Sequence, residues 1–133
     1  MATRILIADD DAPVRQLLRR ILEVHPGWQV CGEASNGRDA VAKAKQLSPD
    51  VVVMDLTMPQ MNGLEAAREI SRSNHLHMLL LTVQEVSQTL AREARKAGFQ
   101  GAMSKGKSTE VISGIETLLE DGTCFESCPD LTS

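Results

Sequence analysis

The chain alternates between two hydrophobic patterns. Short unbroken apolar runs recur at Ile5-Leu6-Ile7-Ala8, Val51-Val52-Val53-Met54 and Met78-Leu79-Leu80-Leu81, with weaker ones at Trp28–Ala34 and Gly101-Ala102-Met103. Runs this short, bounded by turn residues, suit strands buried on both faces. Between them the apolar positions fall three and four apart. Val14, Leu17, Leu18, Ile21 and Leu22 predict a helix over 13–23, with Pro13 in its first turn and Pro26-Gly27 as its stop. Val41, Ala44 and Leu47 predict a second over 38–47, with Lys43 and Lys45 on its wet side, and Leu64, Ala67 and Ile70 a third that opens at Gly63. A fourth covers 86–97 on Val86, Leu90, Ala94 and Ala97 and closes at Gly98. Its stripe is thin and rich in alanine, which predicts a weakly anchored helix able to shift. The fifth is the plainest: Ser108 or Thr109 as N-cap, then Val111, Ile112, Ile115, Leu118 and Leu119, then Gly122.

Strand and helix thus alternate five times. That predicts an α/β fold: a five-stranded parallel sheet with helices on both faces, joined by right-handed crossovers. Periodicity does not select the strand order; the flavodoxin-like order 2-1-3-4-5 is one of the two common doubly wound orders and is the one expected here. A length of 133 residues suits one such domain. With aromatics at only 2%, its core has to be aliphatic.

In open sheets of this kind ligands bind at the carboxyl edge. The first strand ends in Asp9-Asp10, the third in Asp55, the fourth in Thr82 and the fifth in Lys105, whereas the second brings nothing comparable. Under the expected order the four contributing strands are contiguous, so these residues converge on one crevice. Three carboxylates there repel one another, and a hard divalent cation relieves the repulsion. Oxygen ligands with open positions suit Mg²⁺. Asp55 beside such an ion can act as a nucleophile toward phosphorus and form an aspartyl phosphate. Phosphoryl transfer needs charge stabilisation more than acid–base work. Lys105 supplies a cation for that task and Thr82 a hydroxyl donor.

Charge and composition narrow the field further. A net charge of −4 argues against this segment gripping nucleic acid itself. No apolar stretch approaches the roughly 20 residues that span a bilayer. An odd count of three cysteines (Cys31, Cys124 and Cys128), with no signal peptide before the first strand, favours a reducing cytoplasm and ordinary thiols. No G-x-G-x-x-G or Walker A pattern supports a nucleotide cradle. His75 and His77, and Arg92, Arg95 and Lys96 on the fourth helix, read as solvated positions.

Ala8-Asp9-Asp10, the run Asp55-Leu56-Thr57-Met58-Pro59-Gln60-Met61-Asn62-Gly63, Leu81-Thr82 and Ser104-Lys105 resemble the motifs of a response-regulator receiver domain of two-component signalling. The resemblance covers about residues 3–122, and the wording around the motifs is similar to the NarL/FixJ subgroup. It implies that Asp55 is the phosphoacceptor and that a sensor histidine kinase or phosphotransfer protein is the donor. It further implies Mg²⁺ held by Asp10, Asp55 and the backbone carbonyl of Thr57, with Asp9 acting mostly through water. Thr82 and Lys105 would contact the phosphoryl group, and Thr57 and Gln84 would tune its loss. Homodimerisation on phosphorylation, through helices one and five or through the helix four, strand five and helix five face, is among the family's options. In that subgroup a Leu-Thr pair commonly opens a helix-turn-helix domain. Leu131-Thr132 therefore suggests a receiver over 1–122 and a linker over 123–133, leading to a DNA-binding domain that the chain does not include.

Two departures stand out. Ala102 occupies the place of the family's usual aromatic switch residue, three before Lys105, and puts the usual coupling to Thr82 in question. It also leaves open a receiver that works only as an interaction scaffold, without phosphorylation. Gly106 follows Lys105 where many receivers have proline; a non-proline cis bond costs about 3–4 kcal/mol, so a trans bond or a mobile loop is expected. A haloacid-dehalogenase type phosphatase is the enzyme alternative. It needs a second Asp two residues after the nucleophile, where this chain has Thr57, and a cap domain for which there is no room. The expectation is therefore a switch that catalyses only its own phosphotransfer and dephosphorylation.

Overall fold

The computed structural model describes residues 2–73 and 75–125, with backbone alone at 107–109. Its elements follow the predicted alternation: β1 Thr3–Ala8, α1 Ala12–Val24, β2 Trp28–Ala34, α2 Gly37–Leu47, β3 Val51–Asp55, α3 Gly63–Ser73, β4 His77–Thr82, α4 Gln88–Ala97, β5 Gly101–Ser104, α5 Val111–Leu119 and β6 Cys124–Phe125. The sheet order is β2-β1-β3-β4-β5-β6, all parallel. The order expected for the first five strands holds, and a sixth is added at the β5 edge.

The unbroken apolar runs divide by alternation. Leu6, Ala8, Val52, Met54, Met78, Leu80 and Ala102 face one side of the sheet, packed with Ala40 and Ala44 of α2, Ala66, Ala67 and Ile70 of α3, and Ala91, Ala94 and Ala97 of α4. Ile5, Ile7, Val51, Val53, Leu79, Leu81 and Met103 face the other, against Leu18 and Leu22 of α1 and Val111, Ile115 and Leu118 of α5. A period of two with both faces covered is why no polar residue interrupts these strands. The buried face of α4 is three methyl groups, one per alanine, as its thin stripe suggested.

Local chemistry sets the helix ends. Asn36 Oδ1 accepts the Asp39 amide at 2.8 Å and caps α2. Ser87 Oγ accepts the Leu90 amide at 3.0 Å and caps α4. The α4 helix therefore starts at Gln88 rather than Val86, which instead buries its side chain in the preceding loop. Gly98, with φ of +114°, takes the left-handed turn that ends it. The helix proper begins after Glu110, one residue later than a cap at Thr109 would place it. Lys105–Glu110 already wind into a 3₁₀ helix, so α5 is entered without a break, and Glu110 stands at the cap position without a side-chain hydrogen bond. No peptide bond among the described residues is cis, including Lys105–Gly106.

The sixth strand is the feature that periodicity did not reveal. Two residues give no period to read. Cys124 N donates to Gln100 O at 2.9 Å, and Phe125 lies opposite Ala102. Gly101 makes this approach possible, since a Cβ there would sit 2.8 Å from the Cys124 carbonyl oxygen. The half-buried Phe125 ring packs against the α4-side core, with the Arg95 guanidinium 4.4 Å from its centroid. Arg95 is thus a partner of β6 as well as a solvated residue. Phe125→Ala is expected to lower stability by about 1 kcal/mol, the scale for half-burying a ring; a urea midpoint equal to wild type would show that β6 contributes nothing. Residues 126–133, including Cys128 and Leu131-Thr132, lie outside the described residues.

Candidate functional site

Register alone assembles the site. Ala8 of β1 lies opposite Met54 of β3, so Asp9 and Asp55, each next along its strand, emerge together at the carboxyl edge. Asp55 pairs with Leu81 of β4, which sets Thr82 one residue beyond. Thr82 pairs with Ser104 of β5, which sets Lys105 one beyond that. Asp9, Asp55 and Thr82 are the buried polar residues among those described, at 1%, 6% and 2% exposure. A buried charge needs a partner. Lys105 supplies it: its Nζ lies 2.7 Å from Asp9 Oδ2 and 3.1 Å from Asp55 Oδ1. Asp10 is exposed on the rim and Thr57 is exposed in the following loop.

The loop after β3 is tightly built. Leu56 N donates to Leu81 O at 3.0 Å, and Gly63 N to Leu56 O at 2.8 Å. Asn62 and Glu65 cap α3 reciprocally: Asn62 Oδ1 accepts the Glu65 amide at 2.9 Å, and Glu65 Oε1 accepts the Asn62 amide at 3.0 Å. Met58 is buried beneath the loop. Glycine at 63 is required because a Cβ would stand 2.3 Å from the carbonyl oxygen of Asp55.

Charge follows from this packing. Burial pushes the Asp55 carboxyl above its ordinary range and the neighbouring Asp9 adds to the push; the Lys105 ammonium pulls the other way without cancelling it. For Lys105, burial opposes the charge, but the bonds to Asp9 and Asp55 outweigh it and hold the ammonium above its usual value. Thr82 Oγ1 accepts the Gln84 amide at 3.3 Å, which leaves its own O–H to donate.

One group of three or more potential metal ligands is found among the described residues: Asp9, Asp10 and Asp55, with one oxygen from each within 4.8 Å of the others. All the donors are carboxylate oxygens, and the exposed Asp10 leaves one side open to water. Asp9 Oδ2 is buried and faces the Lys105 ammonium at 2.7 Å, with no other hydrogen-bond donor among the described residues. An oxygen-only, water-accessible, over-negative site fits a hard divalent cation. His75 and His77 are not part of any such group; His77 Nε2 lies 3.9 Å from the exposed Asp121.

The structure also brings in residues that sequence reasoning passed over. Arg15 Nη1 donates to the Asp9 carbonyl at 2.6 Å, and Arg15 Nε to Glu33 Oε1 at 3.0 Å. The second strand, which carries no residue of the acid cluster, thus touches it through Glu33. Arg15 and Arg19 share one face of α1 at i,i+4 spacing, a signal that was available. Lys43, expected on the wet side of α2, is half-buried and donates to the Glu33 carbonyl.

A doubly wound parallel sheet that gathers two buried carboxylates, a third on the rim and a lysine counter-charge at its carboxyl edge defines a receiver-type α/β domain. The family described as Response regulator receiver domain matches residues 5–116. Chemotaxis protein CheY of Thermotoga maritima is 44% identical over 98 residues, which cover 74% of this chain and 81% of that protein. Response regulator UvrY of Escherichia coli K12 is 42% identical over 116 residues, 86% of this chain and 53% of that protein. The crystal structure of a LuxR-family two-component response regulator from Aurantimonas superposes with a TM-score of 0.89 at 32% identity, covering 99% of this chain and 94% of the other. The chain belongs to the response regulator receiver domain family. It spans about half the length of UvrY. No helix among the described residues is long and apolar enough to cross a membrane.

Proposed function

We propose that this chain is a phosphorylation-controlled switch in which Asp55 accepts a phosphoryl group from a phosphohistidine of a sensor histidine kinase or phosphotransfer protein. The observation that carries the reading is the convergence of Asp9, Asp10, Asp55 and Lys105 at one sheet edge, with Asp55 buried and Lys105 3.1 Å away. A carboxylate oxygen of Asp55 attacks phosphorus, an O–P bond forms, and the P–N bond breaks with its electron pair returning to the imidazole. Asp10, Asp55 and the Thr57 carbonyl would hold Mg²⁺, with Asp9 acting mostly through water, and the ion would supply positive charge against the phosphoryl oxygens. Lys105 turns its ammonium from the carboxylates to a phosphoryl oxygen, and the Thr82 hydroxyl donates to another. The chain catalyses only its own phosphotransfer and dephosphorylation. Residues 1–122 form the receiver, and 123–133 open a linker, anchored to the sheet through Cys124–Phe125, toward a DNA-binding domain. The 53% coverage of UvrY supports that last step.

Intact mass after incubation with Mg²⁺ and acetyl phosphate tests the reading. Wild type is expected to gain one phosphoryl group and Asp55→Asn none, with a change in elution volume on size exclusion if the adduct drives dimerisation. An adduct retained by Asp55→Asn would place the acceptor elsewhere. No adduct in a protein that binds Mg²⁺ would favour an interaction scaffold that works without phosphorylation.

A further inference from the structure

A charged network runs behind the acid cluster along the β2 edge. Glu33 is gripped twice from α1: Arg15 Nε reaches Oε1 at 3.0 Å and Arg19 Nε reaches Oε2 at 2.8 Å. Its main-chain carbonyl accepts Lys43 from α2. Burial alone would raise the Glu33 carboxyl, but the Arg19 and Arg15 guanidiniums outweigh it and hold it below its ordinary range. Glu33 is thus an ionised anchor on β2 fixed to two helices, α1 and α2, and Arg15 is the arm that reaches from it toward the site.

Asp9 is where that arm ends. Its amide donates to Ala34 O at 3.0 Å, its Oδ1 accepts the Asp11 amide at 2.9 Å, and its carbonyl accepts Arg15 Nη1 at 2.6 Å. A guanidinium holds its donors in one plane, so the bond to Glu33 sets the direction of the bond to Asp9. Arg15 is itself only 18% exposed. We propose that Arg15, held by Glu33, is a positioning residue for the Asp9-Asp10 turn, so that the divalent-cation affinity of the acid cluster is set from β2, the strand that gives the cluster no ligand. This rests on the reading of the cluster as a Mg²⁺ site.

Charge and positioning predict opposite signs here. Arg15 is a cation beside a cation site. If charge alone mattered, Arg15→Ala would bind Mg²⁺ more tightly and Arg15→Lys would be unchanged. If it positions the turn, both variants bind more weakly, because lysine keeps the charge but not the two-pronged geometry. The test is calorimetric titration of Mg²⁺ into the chelator-stripped chain, with melting recorded alongside. Arg15→Ala and Arg15→Lys are expected to lose about tenfold in affinity, the scale for removing a residue that supports a metal ligand. Arg19→Gln, which loses a bond to Glu33 but leaves both Arg15 bonds in place, is expected to melt lower with its Mg²⁺ affinity unchanged. Tighter binding by Arg15→Ala, or an equal loss in Arg19→Gln, would overturn the proposal. Absence of Mg²⁺ binding by wild type would overturn the reading of the cluster and this inference with it, whereas normal wild-type binding with unaltered Arg15 variants would overturn the inference alone.

Discussion

Asp55→Asn is expected to melt higher than wild type when no divalent cation is present. Asp55 is 6% exposed, and its carboxylate shares a small volume with Asp9 and Asp10. Burial and the Asp9 charge together outweigh the help from Lys105, so ionised Asp55 costs the fold free energy. Asparagine keeps the shape and removes the charge. The gain should be on the order of 1–2 kcal/mol, the range typical for relieving a destabilised functional site. That is a rise of several degrees for a domain of this size. A dependence on pH follows. A carboxyl raised in the folded state binds its proton there first, so metal-free wild type should gain stability as pH falls from neutral through that raised value. Asp55→Asn should lack this rise. The comparison is cleanest above pH 4.5, the ordinary value for Glu33; that side chain is shifted the opposite way, and its contribution is lost as pH falls through its lowered value. Equal melting of the two proteins across this range, measured with chelator present, would refute the crowded-carboxylate account.

Lys105→Met should do the reverse. The 3.1 Å pair between Lys105 and Asp55 is broken in both variants, but here the anions are what remain. Asp9 Oδ2 loses an ammonium 2.7 Å away and has no other partner among the described residues. Removing one partner of a buried pair typically costs about 3–5 kcal/mol. The lower end applies, about 3 kcal/mol, because the Lys105 side chain is 18% exposed and water reaches the site on the Asp10 side. Mg²⁺ should restore part of the loss, since it supplies the missing positive charge and binds only the folded chain. Chemical unfolding with and without Mg²⁺ reads both effects. A Lys105→Met protein as stable as wild type in chelator would mean that the acids are solvated rather than neutralised by this lysine.

Several features were legible in the chain itself. Four-residue apolar runs bounded by turn residues suited strands covered on both faces, and the three-and-four spacing between them suited helices packed on those faces. The residue that ends each strand is a local fact, so Asp9, Asp10, Asp55, Thr82 and Lys105 could be named once a parallel sheet was inferred. Helix ends were less legible. Val86 has the right spacing for α4 yet lies before its Ser87 cap. Ser108 and Thr109 are the residue types of an N-cap, yet their backbone lies within the 3₁₀ turn Lys105–Glu110, and α5 begins only after it. Spacing cannot distinguish a buried loop residue from the first turn of a helix.

The alternation of elements, the inner face of each and the chemical type at each strand end are local, because they depend on residues within one turn or one pleat of each other. How charges from distant segments meet is not local and follows from the folded arrangement. That arrangement set Lys105 on both Asp9 and Asp55, tied Glu33 through Arg15 to the Asp9 carbonyl, and laid Phe125 beside Ala102 under Arg95. Those contacts join residues far apart in the chain. No period marks them, and they appear only when strand register brings the partners within a few ångströms.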